Sequence, residues 1–426
     1  MTLLIVAPVL ILIAGLLFAL SSGTLWWMLH AWRTPESYAS ASFPATQTAR
    51  YSFSIIMPCR EELLEVMTET LDRLLAQTHP DVEVVLSVGH DDDETVANAD
   101  YLAGLYPDRV KVSVNHDFVK NKPRQLNTAL QDCSNEIIGV MDAESLTHPG
   151  LLAGIDTTFW LRNADVVQGA VHLVNFRSRW FSLRNCLEYR IWFRSRLHGH
   201  ADSGFIPLGG NTVFIWRDLL NEVGGWDGDC LAEDCDLGVR LSALGKKVTC
   251  VYNPELTTLE ETPATVKAFI KQRTRWSLGF MQVLGKGDWK QLPTRRKRAG
   301  AVWMLSQQYM IAAAGVLLPI AFVTAILFKL PAGVVLLTYV PLIPLVLTVL
   351  FELLVLHDFG KDMGLEISTR DYVVLVVSTP AYQMLLLYAA VVAVTRYRRG
   401  NFKWDKTPHE GTHLNITTPK ARELAA

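Results

Sequence analysis

Long uncharged stretches bracket a mixed middle. Residues 2 to 29 carry no charged side chain. A bilayer crossing needs about 20 apolar residues, so Leu3 to Leu29 is long enough. The first basic residue, Arg33, follows the apolar run, whereas a cleaved signal peptide carries positive charge before it. The pattern predicts a retained anchor with its N-terminus outside, Arg33 in the cytosol, and Trp26, Trp27 and Trp32 at the interface. From Ala299 to Leu356 the only charges are Lys329 and Glu352. Lys329-Leu330-Pro331 reads as a turn between two spans, and Tyr372 to Thr395 is a third apolar run after the polar stretch His357 to Arg370. Arg295 to Arg298 and the cluster Arg396, Arg398, Arg399 and Lys403 should both be cytosolic. Three full crossings would put them on opposite sides, so either one segment is re-entrant or interfacial, or the tail breaks the positive-inside tendency. The expectation is that Trp404-Asp405-Lys406-Thr407 returns to the cytosolic face.

The middle alternates. Strands are expected at Phe53 to Met57, Val82 to Val88, Val110 to Val114 and Glu136 to Met141. Helical spacing is expected at Glu61 to Gln77, Thr95 to Tyr106 and Gln125 to Leu130, and from Leu231 to about Leu244. Strand–helix alternation predicts an α/β domain with a mostly parallel sheet. Ligands bind such sheets at the carboxyl ends of the strands, where Pro58, Asp91 and Asp142 fall. The expected division is a 1–32 anchor, a 50–262 cytosolic domain, a 263–298 basic interface segment, a 299–395 membrane region and a 396–426 polar tail.

Composition agrees. Of 426 residues, 50% are hydrophobic and 19% charged, below the roughly 25% charge of soluble domains. The net charge of -2 leaves no footprint for nucleic acid. Six scattered cysteines form no CxxC pair, which argues against a zinc knuckle or a disulfide scaffold. Neither a Walker A loop nor His-Glu-x-x-His occurs.

Four segments carry candidate chemistry. Asp142-Ala143-Glu144 follows an apolar strand; in extended backbone, residues two apart point the same way, which would make an oxygen site for a hard divalent cation, Mg²⁺ or Mn²⁺. The plain alternative is two solvated acids. Lys122, before a helix, would neutralise a diphosphate with help from the helix N-terminus, or simply be solvated. Glu233 and Asp234 open a helix, where acids are ordinary capping chemistry, yet a carboxylate held there suits a general base. Gln272-Arg273-Thr274-Arg275-Trp276 lies in a stretch with nine basic residues and one acid, Asp288, between Lys271 and Arg298; a membrane-surface helix is its bland reading.

In this order and spacing the set resembles the family 2 glycosyltransferases, specifically the membrane-integrated branch that includes cellulose, hyaluronan and chitin-oligomer synthases. The resemblance covers about Phe53 to Leu284, the anchor and the C-terminal spans, and implies a GT-A-type nucleotide-sugar domain. Pro58-Cys59-Arg60-Glu61 stands where that family has Pro-x-x-Asn-Glu at the nucleotide. Asp91 or Asp92 stands where an Asp contacts the base, without the usual Asp-Asp-Gly-Ser. Lys122 matches the diphosphate lysine. Asp142 and Glu144 match the metal-binding Asp-x-Asp with its second acid lengthened. Gly209-Gly210-Asn211 and Gly224-Gly225-Trp226 look like acceptor-side segments. Ala232-Glu233-Asp234 matches Thr-Glu-Asp with the Thr lost, making Asp234 the base. Gln272 to Trp276 matches Gln-x-x-Arg-Trp, with Arg275 at the diphosphate and Gln272, Arg273 and Trp276 at the acceptor. The resemblance implies inverting transfer from a nucleotide-diphosphate sugar to a glycan or lipid-linked acceptor at the inner membrane, with a processive polysaccharide as product. Single transfer to a lipid is the alternative. A membrane scaffold or transporter with an inactive nucleotide-sugar domain is an alternative of another class.

Overall fold

The computed structural model describes residues 2–327 and 331–404; Lys329, Leu330 and Asp405 to Thr407 lie outside them. The chain opens with α1 (Thr2–Met28), followed by the short α2 (His30–Arg33) and α3 (Pro35–Ser40). Alternation then proceeds through β1 (Phe53–Pro58), α4 (Leu64–Leu75), β2 (Val82–Gly89), α5 (Asp93–Leu105), β3 (Val110–Asn115), α6 (Lys122–Asp132), β4 (Ile137–Val140) and α7 (Leu151–Arg162). The second half adds β5 (Val166–Gln168), β6 (Val171–Leu173), α8 (Ser182–Ile191), a π-helical turn at Trp192–Arg196, α9 (Leu197–Ser203), β7 (Val213–Trp216), α10 (Arg217–Glu222), α11 (Glu233–Ala243), β8 (Val248–Cys250) and β9 (Thr258–Glu260). The helices α12 (Val266–Lys286), α13 (Arg295–Leu327), α14 (Ala332–Tyr339), α15 (Leu342–Asp362) and α16 (Thr369–Arg398) complete the order.

Every residue of β2 and β4 is buried, as near-continuous apolar runs in a sheet covered on both faces must be. The seven-stranded sheet runs β3-β2-β1-β4-β7-β5-β8. β1 is parallel to β2 and β4, β2 to β3, and β5 to β8, while β7 is antiparallel to β4 and β5. The expected mostly parallel sheet is therefore present. The core lies on its two faces: Phe53, Ile55, Met57, Leu86 and Phe159 on one, Ile56, Val85, Val140, Ile215 and Leu237 on the other. β6 and β9 pair separately, and Leu259 bridges to Leu146, bringing the Glu260 end beside the loop that leaves β4.

Two local expectations need correction. The first helix begins at Leu64 instead of Glu61, because Glu61 takes a left-handed backbone (φ 51°) and its N–H donates to Asp92 Oδ2 at 2.5 Å. β4 ends at Val140, and Asp142 to Ser145 form a turn closed by Ser145 N–H donating to Asp142 O at 3.0 Å. The extended-backbone argument for two same-facing carboxylates at 142 and 144 fails there.

Among the described residues, four helical stretches are long and apolar enough to cross a membrane: Val6–Met28, Arg295–Thr324, Ala332–Asp362 and Thr369–Arg398.

Candidate active site

The carboxyl ends of β1, β2 and β4 converge as expected. At the first two, Arg60 forks onto Asp91 through Nη1 to Oδ1 at 3.2 Å and Nη2 to Oδ2 at 3.0 Å. Lys120 approaches the same carboxylate at 3.4 Å. These cations, Arg60 first, hold the Asp91 carboxyl well below the usual range. Asp92 caps α5 by accepting from Thr95 N–H at 3.3 Å and also takes the Glu61 N–H. Pro58, Glu61, Asp91 and Asp92 thus form one edge of a cleft, and Gln125 Nε2 closes it on Cys59 O at 3.3 Å.

Lys122 is the centre. It opens α6 behind the Asn121 cap, pairs with Asp142 and donates to Gly210 O at 2.9 Å. Burial opposes its charge, but Asp142, Glu233 and Asp234 outweigh burial and hold its pKa above the ordinary value. Gly210 brings backbone to within contact of the acid: a Cβ there would lie 3.1 Å from Asp234 Oδ2 and 3.7 Å from Lys122 Nζ. Asp234 Oδ1 accepts the Cys235 N–H at 2.7 Å, which fixes its rotamer. Burial raises the Asp234 carboxyl. Burial and then the Asp234 charge raise Glu233 to about 7, while Lys122 and Arg275 hold both back. Arg275 also reaches Leu231 O at 3.5 Å.

Glu260, which the sequence reading missed, completes the centre. It is buried and accepts hydrogen bonds from Asn211 Nδ2 and, at 3.3 Å, from Ser145 Oγ. Burial, then Asp142 and Glu144, push its carboxyl well up. Asn211 in turn donates to Ser145 Oγ at 2.7 Å and accepts the Asp142 N–H at 3.4 Å, so one buried amide positions both acids. The only signal for Glu260 was an acidic pair, Glu260-Glu261, at the end of a short apolar–polar run. Gln168, also missed, holds the loop from beneath: its Oε1 accepts Gly209 N–H at 2.8 Å, and its Nε2 donates to Asn211 O at 2.9 Å.

On α12, Gln272 is buried and its Oε1 finds no hydrogen-bond partner among the described residues. Trp276 packs against Tyr189 (centroids 6.2 Å) and under the Arg273 guanidinium (4.6 Å). Arg273 faces away from the Lys122 cluster in its bonding: it donates to Glu188 Oε1 at 2.8 Å and Asn185 Oδ1 at 2.6 Å, tying α12 to α8. One face of α12 is packed, with Phe269, Thr274, Leu278 and Met281 buried, while Lys267 and Lys271 are exposed on the other. Trp226 is also core, 3% exposed, and Gly225 is a clamp: Asn127 accepts the Trp226 N–H at 2.9 Å and donates to Trp226 O at 2.7 Å. That segment does not present its ring to a ligand.

The donor set tests the expected cation. Asp142, Glu233, Asp234 and Glu260 lie around Lys122, Arg275 adds a cation beside Glu233 and Asp234, Glu144 adds its charge at Glu260, and the raised carboxyls register that surplus of negative charge. Among the described residues no three His, Cys, Asp or Glu groups complete a metal shell. The oxygen donors fit a Mg²⁺-like ion that takes one or two carboxylates and completes its shell from substrate phosphates.

Residues 49–279, more than half of the chain, match the family described as glycosyltransferase like family 2. The chain belongs to this family. This family 2 glycosyltransferase is 24% identical over 376 residues to a probable glycosyltransferase, YdaM, of Bacillus subtilis, covering 84% of this chain and 87% of that one. It is 25% identical to the beta-monoglucosyldiacylglycerol synthase of Synechocystis over 66% of this chain and 60% of that one. Against the poly-beta-1,6-N-acetyl-D-glucosamine synthase of Staphylococcus epidermidis it is 22% identical, over 57% of this chain and 58% of that one. In fold, the transferase resembles the mannosyltransferase PcManGT from Pyrobaculum calidifontis, solved with GDP-Man and Mn²⁺, at TM-score 0.59 and 21% identity over 90% of this chain and 99% of that one.

Proposed function

We propose that the cleft transfers a sugar from a nucleotide-diphosphate sugar to an acceptor hydroxyl with inversion, and that repeated transfer builds a polysaccharide. The single observation that carries the reading is the shared neighbourhood of Lys122, Asp142, Glu233, Asp234 and Arg275. Pro58, Glu61, Asp91 and Asp92 take the nucleotide edge. Lys122 and Arg275 offset the diphosphate charge. Asp142 and Glu144 would hold Mg²⁺ or Mn²⁺. Such an ion, when bound, neutralises the leaving diphosphate. Asp234 accepts the acceptor's hydroxyl proton as that oxygen attacks the anomeric carbon from the face opposite the departing phosphate. Its raised proton affinity suits a base better than an ordinary exposed Asp would.

On the acceptor side, the Gly210 and Asn211 backbone and the Glu233, Gln272 and Trp276 side chains line one wall, while Arg273, expected there too, is engaged with Glu188 and Asn185 and holds α12 in place behind it. The unpaired Gln272 oxygen is costly when buried, and a sugar hydroxyl satisfies it. The Trp276 and Tyr189 rings offer an apolar face to a pyranose. The domain works in the cytosol at the inner membrane, a side that Arg33 and Arg295 to Arg298 on its flanks support through the positive-inside tendency.

Single transfer to a lipid acceptor is the second reading, and one observation favours it: four candidate spans leave little helix to enclose a polymer path within one chain. Incubating purified protein with a panel of nucleotide sugars, then measuring nucleotide release and product mass, separates the two. A ladder of sugar increments is the expected result; a single-sugar lipid adduct puts the second reading in its place.

A further inference from the structure

Three aromatic rings link α12 to the loop beside Asp234. α8 and α12 run side by side in the same direction, because their contacts rise together along both helices. Phe181 meets Phe269 (centroids 5.3 Å), Asn185 Oδ1 accepts from Arg273 Nη2 at 2.6 Å, and Tyr189 meets Trp276 (6.2 Å). On its other side the Tyr189 ring meets Phe193 (6.2 Å). Phe193 in turn lies 3.5 Å from where a Cβ on Gly209 would stand. Tyr189 is therefore held between Trp276 and the ring that touches the Gly209-Gly210-Asn211 loop.

A tyrosine hydroxyl in such packing ordinarily finds a protein partner. Tyr382 donates to Glu188 Oε2 at 2.5 Å, and Tyr252 accepts from Arg190 Nη1 at 3.1 Å. The Tyr189 hydroxyl has no hydrogen-bond partner among the described residues. Burial, and then the Glu260 charge, raise its pKa, so it remains an O–H donor at any working pH. The other charges it feels are Arg273, Glu188 and Asp142, which sets the hydroxyl toward the Asp142 and Glu260 end of the cleft. Arg273 and Glu188 are bonded to each other, and Glu260 to Asn211 and Ser145. One helical turn before Trp276, the buried Gln272 Oε1 is also unpaired among the described residues. A free donor and a free acceptor thus border one aromatic ring. A hydroxylated sugar ring can satisfy all three; a bare lipid alcohol, with one hydroxyl and no ring, cannot.

We propose that Tyr189 reads the acceptor, a role that rests on the transfer proposed above: its hydroxyl donates to a hydroxyl of an acceptor sugar lying on Trp276. The group that receives the transferred sugar is then itself a sugar, free or carried on a lipid. Tyr189 selects it over a lipid alcohol, and the aromatic contact with Trp276 sets which ring hydroxyl it meets.

The test uses the full chain in detergent with a panel of nucleotide sugars as donors. Octyl glycosides of glucose, mannose and N-acetylglucosamine are the acceptors, and octanol is the sugar-free control. Transfer should favour a glycoside. Tyr189→Phe keeps the ring against Trp276 and Phe193 and removes only the hydroxyl. It should raise the acceptor KM about three- to tenfold, well beyond any change in donor KM, at an unaltered unfolding midpoint. Monodeoxy forms of the preferred glycoside then locate the contact. At one ring position, loss of the hydroxyl should cost the parent about as much as Tyr189→Phe does, and cost the variant nothing further. A packing role alone would lower the midpoint and leave the deoxy effects equal in both proteins, and that result overturns the proposal. Transfer to octanol as efficient as to the glycosides overturns it too, as does nucleotide release without transfer to any glycoside. No nucleotide release from any donor removes the transfer reaction itself, and the role of Tyr189 falls with it.

Discussion

Asp234 sits with its carboxylate against the Gly210 backbone and within the field of Lys122 and Arg275. Asp234→Asn keeps the shape and removes the proton acceptor. Transfer should fall by 10²- to 10⁴-fold, about 3–5 kcal/mol of barrier, with donor affinity little changed; turnover and donor binding measured side by side check this. Burial raises both Glu233 and Asp234, and the Asp234 charge raises Glu233 further. A carboxyl whose pKa is raised is protonated, and idle as a base, below that raised range. The ratio kcat/KM should therefore rise with pH and fall about tenfold per unit below the raised range, near 7 for Glu233. Glu233→Gln removes the neighbouring negative charge and should move the limb to lower pH. A flat profile down to pH 5 in the parent would contradict the raised pair. Gly210→Ala tests geometry alone: a Cβ at 3.1 Å from Asp234 Oδ2 displaces the acid by a few tenths of an ångström, and turnover should drop on the order of tenfold while the thermal midpoint holds.

At the scale of elements, a row of ion pairs joins the domain to the helices below it. Arg184 meets Glu352 at 2.9 Å, Arg190 meets Asp362 at 2.5 Å and Arg194 meets Asp358 at 3.5 Å, all between the α8 to π-turn segment and α15. Arg190 is wholly buried and also donates to Tyr252 Oη at 3.1 Å. Asp362→Ala would leave that guanidinium without its counter-charge. A loss of about 3 kcal/mol should appear as a lowered unfolding midpoint in detergent, with little effect from the more exposed Asp358→Ala. None of these pairs was legible in the sequence, because their partners lie more than 160 residues apart and nothing local marks them. What was legible is what local pattern controls. The apolar runs at 53–57, 82–88 and 136–141 became strands, and the loops at their carboxyl ends supplied Arg60, Asp91 and Asp142. The reversal of β7 carried no mark, since Val213 to Trp216 reads alike in either direction. The turn at Asp142 to Ser145 and the contribution of Glu260 both depend on Leu146 pairing with Leu259, a long-range event.

For the whole molecule, the excess of carboxylates around Lys122 predicts a need for a divalent cation. Extensive dialysis against EDTA should abolish transfer, and Mg²⁺ or Mn²⁺ should restore it; full activity without metal would remove Asp142 as a ligand. The packing of α12 has a consequence for how this protein can change over generations. A Cβ on Gly279 would lie 2.4 Å from Ala232 Cβ and 2.5 Å from Ala232 N, so α12 touches the backbone next to the Glu233-Asp234 pair. Positions 232 and 279 share one small volume, and α12 sits this close because residue 279 has no side chain. Drift at position 279 is therefore confined: a larger residue there is viable only after α12 has moved away, which makes the spacing between this helix and the Glu233-Asp234 turn an inherited dimension of this enzyme.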